Sequence, residues 1–188
     1  MFKTQIITNF ALWEQTVKRL FLFDMDMTLV DSSIAKQYGK NYKEVQKHIS
    51  EFSIFDGIKE VIAQLSEQHI IYVVSGNVGS TIKKVIQYFN LNIPLENVYG
   101  YRQGYPMENL VRKKKVMQVA VDNILQTHNI SKSDIIYIGD EVDDYKACQD
   151  SRIDFIGGVW GNDELKHKSG IVIANTPREI IDTIGSIS

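Results

Sequence analysis

The sequence is poor in cysteine and proline, and neither sign of charge dominates. Its single cysteine, Cys148, cannot form a disulfide within the chain, and no cationic start followed by an apolar core marks an export signal. We therefore expect a cytoplasmic protein. The 21 basic and 23 acidic residues give a net charge of −2, which provides no strong signal for nucleic-acid binding. No apolar run approaches the roughly 20 residues that a helix needs to cross a bilayer, so we expect no membrane partner.

The composition indicates a globular protein. Hydrophobic residues make up 44% of the 188 positions, which is enough for a real core and excludes a disordered or fibrous chain. The sequence has no internal repeat, low-complexity tract or linker rich in proline and glycine. We therefore expect residues 1–188 to form one domain.

Short apolar runs alternate with segments of helical spacing. The predicted strands are 21–23, 70–74, 98–99, 135–138, 153–156 and 171–173, and the predicted helices are 57–68, 78–89, 109–128, 145–150 and 177–184, with a further helix in the first 19 residues. Runs without strict alternation are typical of strands buried on both faces, and their alternation with helices predicts a parallel sheet. The fold class is therefore α/β, with a Rossmann-like, doubly wound sheet.

Polar side chains follow three of these strands. The residues concerned are Asp24, Asp26 and Thr28 after the first, Ser75, Gly76 and Asn77 after the second, and Gly139 to Asp144 after the fourth. Because ligands of doubly wound sheets bind at the carboxyl ends of the strands, we expect these residues to lie together. Asp24 and Asp26 would be costly as neighbouring charges unless a cation neutralises them or one keeps its proton. The pair therefore indicates a site for a cation or a phosphoryl group.

Four motifs in this order resemble those of the haloacid dehalogenase-like (HAD) hydrolase superfamily. They are Asp24-Met25-Asp26-Met27-Thr28, Ser75-Gly76-Asn77, Lys113-Lys114-Lys115 and Gly139-Asp140-Glu141-Val142-Asp143-Asp144. The family signature is DxDxT, then a serine or threonine, a lysine and GDxxxD. The resemblance runs from about Arg19 to the C-terminus. Two further segments, 55–58 and 157–161, resemble the phosphatase branch, in particular phosphoglycolate phosphatase-like members with a reduced cap.

The resemblance implies an Mg²⁺-dependent phosphatase that hydrolyses a phosphomonoester. Asp24 would be the nucleophile that forms an aspartyl-phosphate, and Asp26 would be the general acid and base. The implied phosphate-binding residues are Thr28, Ser75, Gly76, Asn77 and a lysine. The implied metal ligands are Asp24, Asp140 and the backbone carbonyl of Asp26. Asp144 and Glu141 would contact these groups rather than the metal or the phosphate itself. No histidine cluster competes for the metal, because His48, His69, His128 and His167 are scattered along the sequence.

Two positions within the motifs leave questions open. The spacing of the lysine allows either Lys113 or Lys115, and the absence of a following proline favours Lys113. The position between Asp26 and Thr28 is usually glycine in the family but is Met27 here. A side chain there would narrow the pocket or contact the substrate.

The segment of about 31–55 is the expected cap. It is long enough for one or two helices but not for a full helical bundle, so we expect an open site. An open site suits either a small phosphorylated molecule or a macromolecule, or a cap completed by a second copy in a homo-oligomer. The alternatives to a phosphatase are a phosphotransferase or phosphomutase that uses the same intermediate, and a binding module without catalysis. Dehalogenation is disfavoured because dehalogenases generally lack the second acid, Asp26.

Overall fold

The structure is a computed structural model that describes residues 18–39, 41–101, 109–185 and 187. The helix expected in the first 19 residues lies outside this part of the chain, apart from its last two positions. Within the described ranges, every predicted strand and every other predicted helix is present, with ends that differ by up to four residues.

The centre of the molecule is a six-stranded sheet in which every pair of neighbouring strands is parallel. Its strands are β1 (Leu20–Phe23), β4 (Ile70–Val78), β5 (Val98–Tyr101), β6 (Ile135–Gly139), β7 (Asp154–Gly158) and β8 (Val172–Ala174). Their spatial order is β5-β4-β1-β6-β7-β8. The chain adds β4 and β5 on one side of β1, and then crosses back to add β6, β7 and β8 on its other side. This order confirms the doubly wound α/β class and places its switch point at β1.

Strand β1 is apolar throughout because both of its faces are covered. Leu20, Phe21, Leu22 and Phe23 are all fully buried. Successive side chains of a strand point to opposite faces, and the two phenylalanines pack in one hydrophobic cluster while the two leucines pack in another. The sheet is therefore the middle layer of three.

Helices cover both faces of the sheet. Their bounds are α2 (Ile58–Ser66), α3 (Gly79–Tyr88), α4 (Asn109–Thr127), α5 (Val142–Ser151) and α6 (Glu179–Ile184). Apolar residues of α2, α3 and α6 pack in the cluster of the phenylalanines, and those of α4 and α5 pack in the cluster of the leucines. In the part of the chain that the structure describes, no helix combines the length and the apolar character needed to span a membrane.

The expected cap segment is a small helical insertion. The two-residue strands β2 (Val30–Asp31) and β3 (Ser53–Ile54) pair antiparallel at its base. Between them lie α1 (Tyr42–Lys47) and 3₁₀ turns at Ser33–Tyr38 and Ile49–Glu51. Gln46 donates hydrogen bonds to Ser80 and Thr81 of α3, at 2.9 and 3.0 Å. The insertion is therefore fastened to the helix that follows β4.

Candidate active site

The register of the sheet brings the predicted strand-end residues together. Phe23 is aligned with Val73 of β4 and with Ile138 of β6. The chain of β1 continues in this register for one more residue, because the backbone N–H of Asp24 donates to the carbonyl of Ile138 at 2.9 Å. Ser75 and Asp140 each lie two residues beyond the aligned positions. The three central strands thus end side by side at the carboxyl edge of the sheet.

Asp24 is buried at the base of this edge, with 2% of its surface exposed. Its Oδ2 accepts a hydrogen bond from Nζ of Lys113 at 3.2 Å. Its Oδ1 is buried and has no hydrogen-bond partner among the described residues. A buried carboxylate oxygen without a partner is costly. Such an oxygen is suited to contacting a cation or an electrophilic atom.

Lys113 brings a buried positive charge to the carboxylates of the site. Its Nζ lies 2.6 Å from Asp144, 3.0 Å from Glu141 and 3.2 Å from Asp24. Burial alone would lower the pKa of Lys113, but these three carboxylates raise it well above its usual value. The lysine is therefore charged and held in place. Lys115, the other sequence candidate, is exposed on α4.

Asp144 anchors the lysine from behind. It is fully buried, and its Oδ1 accepts hydrogen bonds from Lys113 and from the hydroxyl of Tyr137 at 3.1 Å. Its Oδ2 accepts from the backbone N–H of Glu141 at 3.2 Å. A Cβ atom added at Gly139 would lie 2.7 Å from this Oδ2. The glycine of the fourth motif is therefore required for Asp144 to approach the end of β6.

Asp24 and Asp140 form a site that fits a hard cation. Carboxylate oxygens of these residues and of Asp144 lie within 4.8 Å of one another. Asp140 accepts hydrogen bonds from the neutral donors Thr28 Oγ1 and Asn162 Nδ2, both at 3.0 Å. Burial and the charge of Asp24 raise the pKa of Asp140. This all-oxygen donor set, whose carboxylates outnumber the single nearby lysine, matches the requirements of Mg²⁺. Asp144 is the weaker candidate ligand, because both of its oxygens already accept hydrogen bonds.

Asp26 is held by two side chains from different parts of the fold. Its Oδ1 accepts from Ser32 Oγ at 2.5 Å, and its Oδ2 accepts from Asn77 Nδ2 at 2.6 Å. Burial, followed by the charge of Asp24, raises the pKa of Asp26 to about 6, although both hydrogen bonds oppose this shift. A carboxyl group with this pKa gains and loses its proton near neutral pH, as an acid and base must.

Met27 adopts a backbone conformation that favours glycine. Its φ angle is +56°, in the left-handed region. This conformation costs a residue with a side chain roughly 1–2 kcal/mol. Its N–H donates to the carbonyl of Val30 at 2.8 Å, which closes the loop after β1. The loop geometry gives a physical reason for the glycine that the family resemblance leads us to expect at this position.

The site opens into a pocket of about 160 Å³. Its lining residues are Asp24, Asp26, Ser75, Gly76, Asn77, Asn109, Arg112, Lys113 and Glu141. Thr28, a predicted phosphate ligand, lies beneath the pocket and donates to Asp140. None of the described residues of the insertion, 33–51, lines the pocket. The first turns of α4 supply that wall instead.

Several residues of the site were not predicted from the sequence. Ser32 and Asn77 orient Asp26, Asn162 contacts Asp140, and Tyr137 contacts Asp144. Asn77 is a predicted site residue, but the sequence predicts it as a phosphate ligand and not as a partner of Asp26. Asn162 lies in a loop after β7 that carries no recognisable motif, so no local signal marked it. Arg112, in contrast, directly precedes Lys113 and could have been included on that basis.

The fold is similar to that of several solved structures. A predicted phosphatase from Clostridium acetobutylicum superposes with a TM-score of 0.71 and 19% identity, covering 90% of this chain and 99% of that one. A substrate-bound phosphoserine phosphatase superposes with a TM-score of 0.64 and 20% identity, covering 88% of this chain and 97% of that one. A protein provisionally described as a phosphoglycolate phosphatase from Lactobacillus plantarum superposes with a TM-score of 0.67 and 15% identity, covering 88% of this chain and 99% of that one. No curated protein sequence matches this chain.

The family is established by a separate comparison of the sequence. Residues 33–158 match the family model of the haloacid dehalogenase-like hydrolases. The match includes the second, third and fourth motifs, and the first motif directly precedes it. It covers well over half of the chain, in agreement with the three-layer fold and with the order of the motifs along the sheet edge. The chain therefore belongs to the haloacid dehalogenase-like hydrolase family.

Proposed function

We propose that the protein is an Mg²⁺-dependent phosphatase that hydrolyses a phosphomonoester through an aspartyl-phosphate on Asp24. The observation that carries this proposal is the unpartnered Oδ1 of the buried Asp24, at the base of a pocket that also contains Lys113 and Asp26. The arrangement combines a nucleophile, a fixed cation and a group able to move a proton. Phosphoryl transfer requires these three functions in one place.

In the first step, Oδ1 of Asp24 attacks the phosphorus atom. A bond forms between this oxygen and phosphorus while the bond from phosphorus to the alcohol oxygen breaks. Asp26 donates its carboxyl proton to the departing oxygen, so that an alcohol leaves rather than an alkoxide. The hydrogen bonds from Ser32 and Asn77 hold the carboxyl group in position for this transfer.

In the second step, a water molecule attacks the phosphorus atom of the aspartyl-phosphate on Asp24. Asp26, now ionised, removes a proton from the water as its oxygen bonds to phosphorus, and the bond from phosphorus to Asp24 breaks. Inorganic phosphate leaves, and both carboxyl groups return to their initial states. Asp26 thus donates a proton in the first step and accepts one in the second.

Charge stabilisation comes from fixed groups around the phosphoryl oxygens. The ammonium group of Lys113 is held by three carboxylates, so it needs no reorganisation during the reaction. Ser75 lines the pocket and can donate its hydroxyl proton to a phosphoryl oxygen. An Mg²⁺ ion held by Asp24, Asp140 and the backbone carbonyl of Asp26 would neutralise the negative charge of the phosphoryl group.

A substrate panel tests the proposal directly. With Mg²⁺ present, the purified protein is expected to release inorganic phosphate from at least one member of a broad panel of phosphomonoesters. Transfer of phosphate to an added sugar or nucleoside, without matching release of inorganic phosphate, would instead establish a phosphotransferase. If neither reaction occurs and beryllofluoride does not bind, the proposal is wrong.

The metal site leads to a second expected result. Binding of Mg²⁺ at ten times its Kd stabilises the folded protein by about 1.4 kcal/mol, which corresponds to a rise in Tm of roughly 3–6 °C for a domain of this size. Asp140→Asn removes one anionic ligand and is expected to abolish this rise. Because the pKa of Asp140 is raised and Mg²⁺ binds its ionised form, the rise should become smaller as the pH falls below neutral.

Thermal unfolding with and without Mg²⁺ at pH 5.5 and 8 measures this effect. Asp163→Asn is a suitable control, because Asp163 is largely exposed and contacts Lys166 rather than the site. The control is expected to keep the full response to Mg²⁺. An unchanged response in Asp140→Asn would show that the ion binds elsewhere.

A further inference from the structure

Arg112 is a second cation in the wall of the catalytic pocket. It precedes Lys113 on α4, and successive residues of a helix are rotated by about 100°. Lys113 therefore reaches the buried carboxylates, while Arg112 lies half-buried along the wall. Gly76 borders both side chains, since a Cβ atom added there would lie 3.4 Å from Arg112 Nε and 3.6 Å from Lys113 Cγ. The two cations thus face one pocket at different positions.

Arg112 forms no ion pair with any residue that the structure describes, and its buried Nε has no hydrogen-bond partner there. The nearby carboxylate of Glu141 is already bound by Lys113 and by Asn109, both at 3.0 Å. A buried guanidinium N–H without an acceptor is costly unless a ligand satisfies it.

A neutral amide holds the guanidinium group in place. Arg112 donates from Nη2 to Oδ1 of Asn109 at 3.1 Å, and the amide of Asn109 in turn donates to Glu141 and Asp143. The ring of Tyr101 supports the guanidinium carbon at 5.8 Å from the ring centroid. This arrangement fixes the arginine while leaving its charge available. A fixed guanidinium matches the paired oxygens of a carboxylate or a phosphate.

We propose that Arg112 and Asn109 form a subsite for a second anionic group of the substrate, so that the preferred substrate is a small phosphomonoester bearing a carboxylate or another phosphate. The inference rests on the proposed phosphatase function and adds the substrate class. The phosphoryl group has its own cation in Lys113, so Arg112 is available for the remainder of the molecule. Specificity then arises from α4 rather than from the insertion at 33–51, of which no described residue lines the pocket.

Matched pairs of substrates test the subsite. The first pair is 3-phosphoglycerate and glycerol 3-phosphate, which differ by a carboxylate; the second is propane-1,3-diol bisphosphate and propyl phosphate, which differ by a phosphate. For Arg112→Gln, kcat/KM is expected to fall roughly ten- to a hundredfold for the member with the second anion. This fall in kcat/KM should come mostly from a rise in KM. For the partner lacking that anion, the change should remain below threefold. The pair with the larger effect identifies which second anion is preferred.

Two further variants complete the design. Arg112→Lys keeps the charge but loses the planar fork, and is expected to recover part of the selectivity. Lys84→Gln removes one positive charge from the exposed surface of α3 and is expected to leave both members of each pair unchanged. Equal losses for both members would show that Arg112 serves the phosphoryl group or the fold, and no loss for either would show that it contacts no substrate. Both outcomes overturn the proposal.

A binding measurement separates failure of the subsite from failure of the proposed function. If the wild-type protein hydrolyses no substrate, transfers no phosphate and binds no beryllofluoride, the phosphatase proposal fails. The subsite can still be tested by calorimetric titration of 3-phosphoglycerate and glycerol 3-phosphate in the presence of Mg²⁺. The wild-type protein is then expected to bind 3-phosphoglycerate, which carries the carboxylate, more tightly than glycerol 3-phosphate. Arg112→Gln should lose that preference. Equal binding by the wild-type protein within this pair and also within the pair of propane-1,3-diol bisphosphate and propyl phosphate would overturn the subsite.

Discussion

Replacing Asp24 by asparagine is expected to abolish phosphatase turnover, with a fall in kcat of about 10⁴-fold or more. Asparagine has nearly the same shape, but its amide cannot form the covalent bond to phosphorus that the proposed mechanism requires. The substitution also removes a negative charge from the proposed metal site. The fold should survive, because Lys113 keeps its contacts with Asp144 at 2.6 Å and Glu141 at 3.0 Å.

Three measurements identify the cause of this loss. Release of inorganic phosphate reports turnover, thermal unfolding reports the fold, and binding of beryllofluoride reports the ability of the carboxylate to accept a phosphoryl mimic. Asp24→Asn is expected to unfold within a few degrees of the wild-type protein and to bind no beryllofluoride. Asp122→Asn, at an exposed position of α4 whose carboxylate contacts Gln118, should be indistinguishable from the wild-type protein. Retained hydrolysis in Asp24→Asn would show that another residue is the nucleophile.

The sheet could be predicted from the sequence because its strands are buried on both faces. The run at β1 is apolar at every position, and all four side chains are fully buried. Such runs and the helical periodicity between them depend on local patterns. The sequence predicted that the residues after three of the strands meet at one edge of the sheet, but it did not predict the spatial order of the strands. Helix α5 was predicted to begin at 145 but begins at Val142, because the motif residues form its first turn.

The hydrogen-bonding partners of the catalytic groups were harder to predict. Asn162 contacts Asp140 across 22 positions, and Asn77 contacts Asp26 across 51. These contacts depend on the register of the sheet and on the paths of the loops, which no local sequence pattern specifies. The choice between Lys113 and Lys115 was open for a related reason. It depends on the phase of α4 relative to the sheet, and only the three-dimensional packing determines this phase.

Substitution of Lys113 by methionine is expected to affect both turnover and stability. Removing the fixed cation should lower kcat by about 10²- to 10³-fold, the range seen when a preorganised electrostatic group is lost. It also leaves the buried carboxylate of Asp144 without its cation, and breaking a buried ion pair from one side costs roughly 3–5 kcal/mol. Lys115→Met, at an exposed position of the same helix, should change neither property.

The dependence of this loss on pH provides a further check on its cause. Burial already raises the pKa of Asp144, and the charge of Lys113 counteracts this rise. Removing the lysine therefore raises the pKa further, so that the variant keeps its proton on Asp144 over a wider range of pH. A protonated carboxyl group needs no cation, whereas an ionised one does. Because the pKa of Asp144 is about 8 in the wild-type protein, both proteins keep this proton below that pH, and the difference in unfolding free energy between Lys113→Met and the wild-type protein should grow only as the pH rises above 8. A difference that stays constant on both sides of pH 8 would show that lost packing, rather than an uncompensated charge, destabilises the variant.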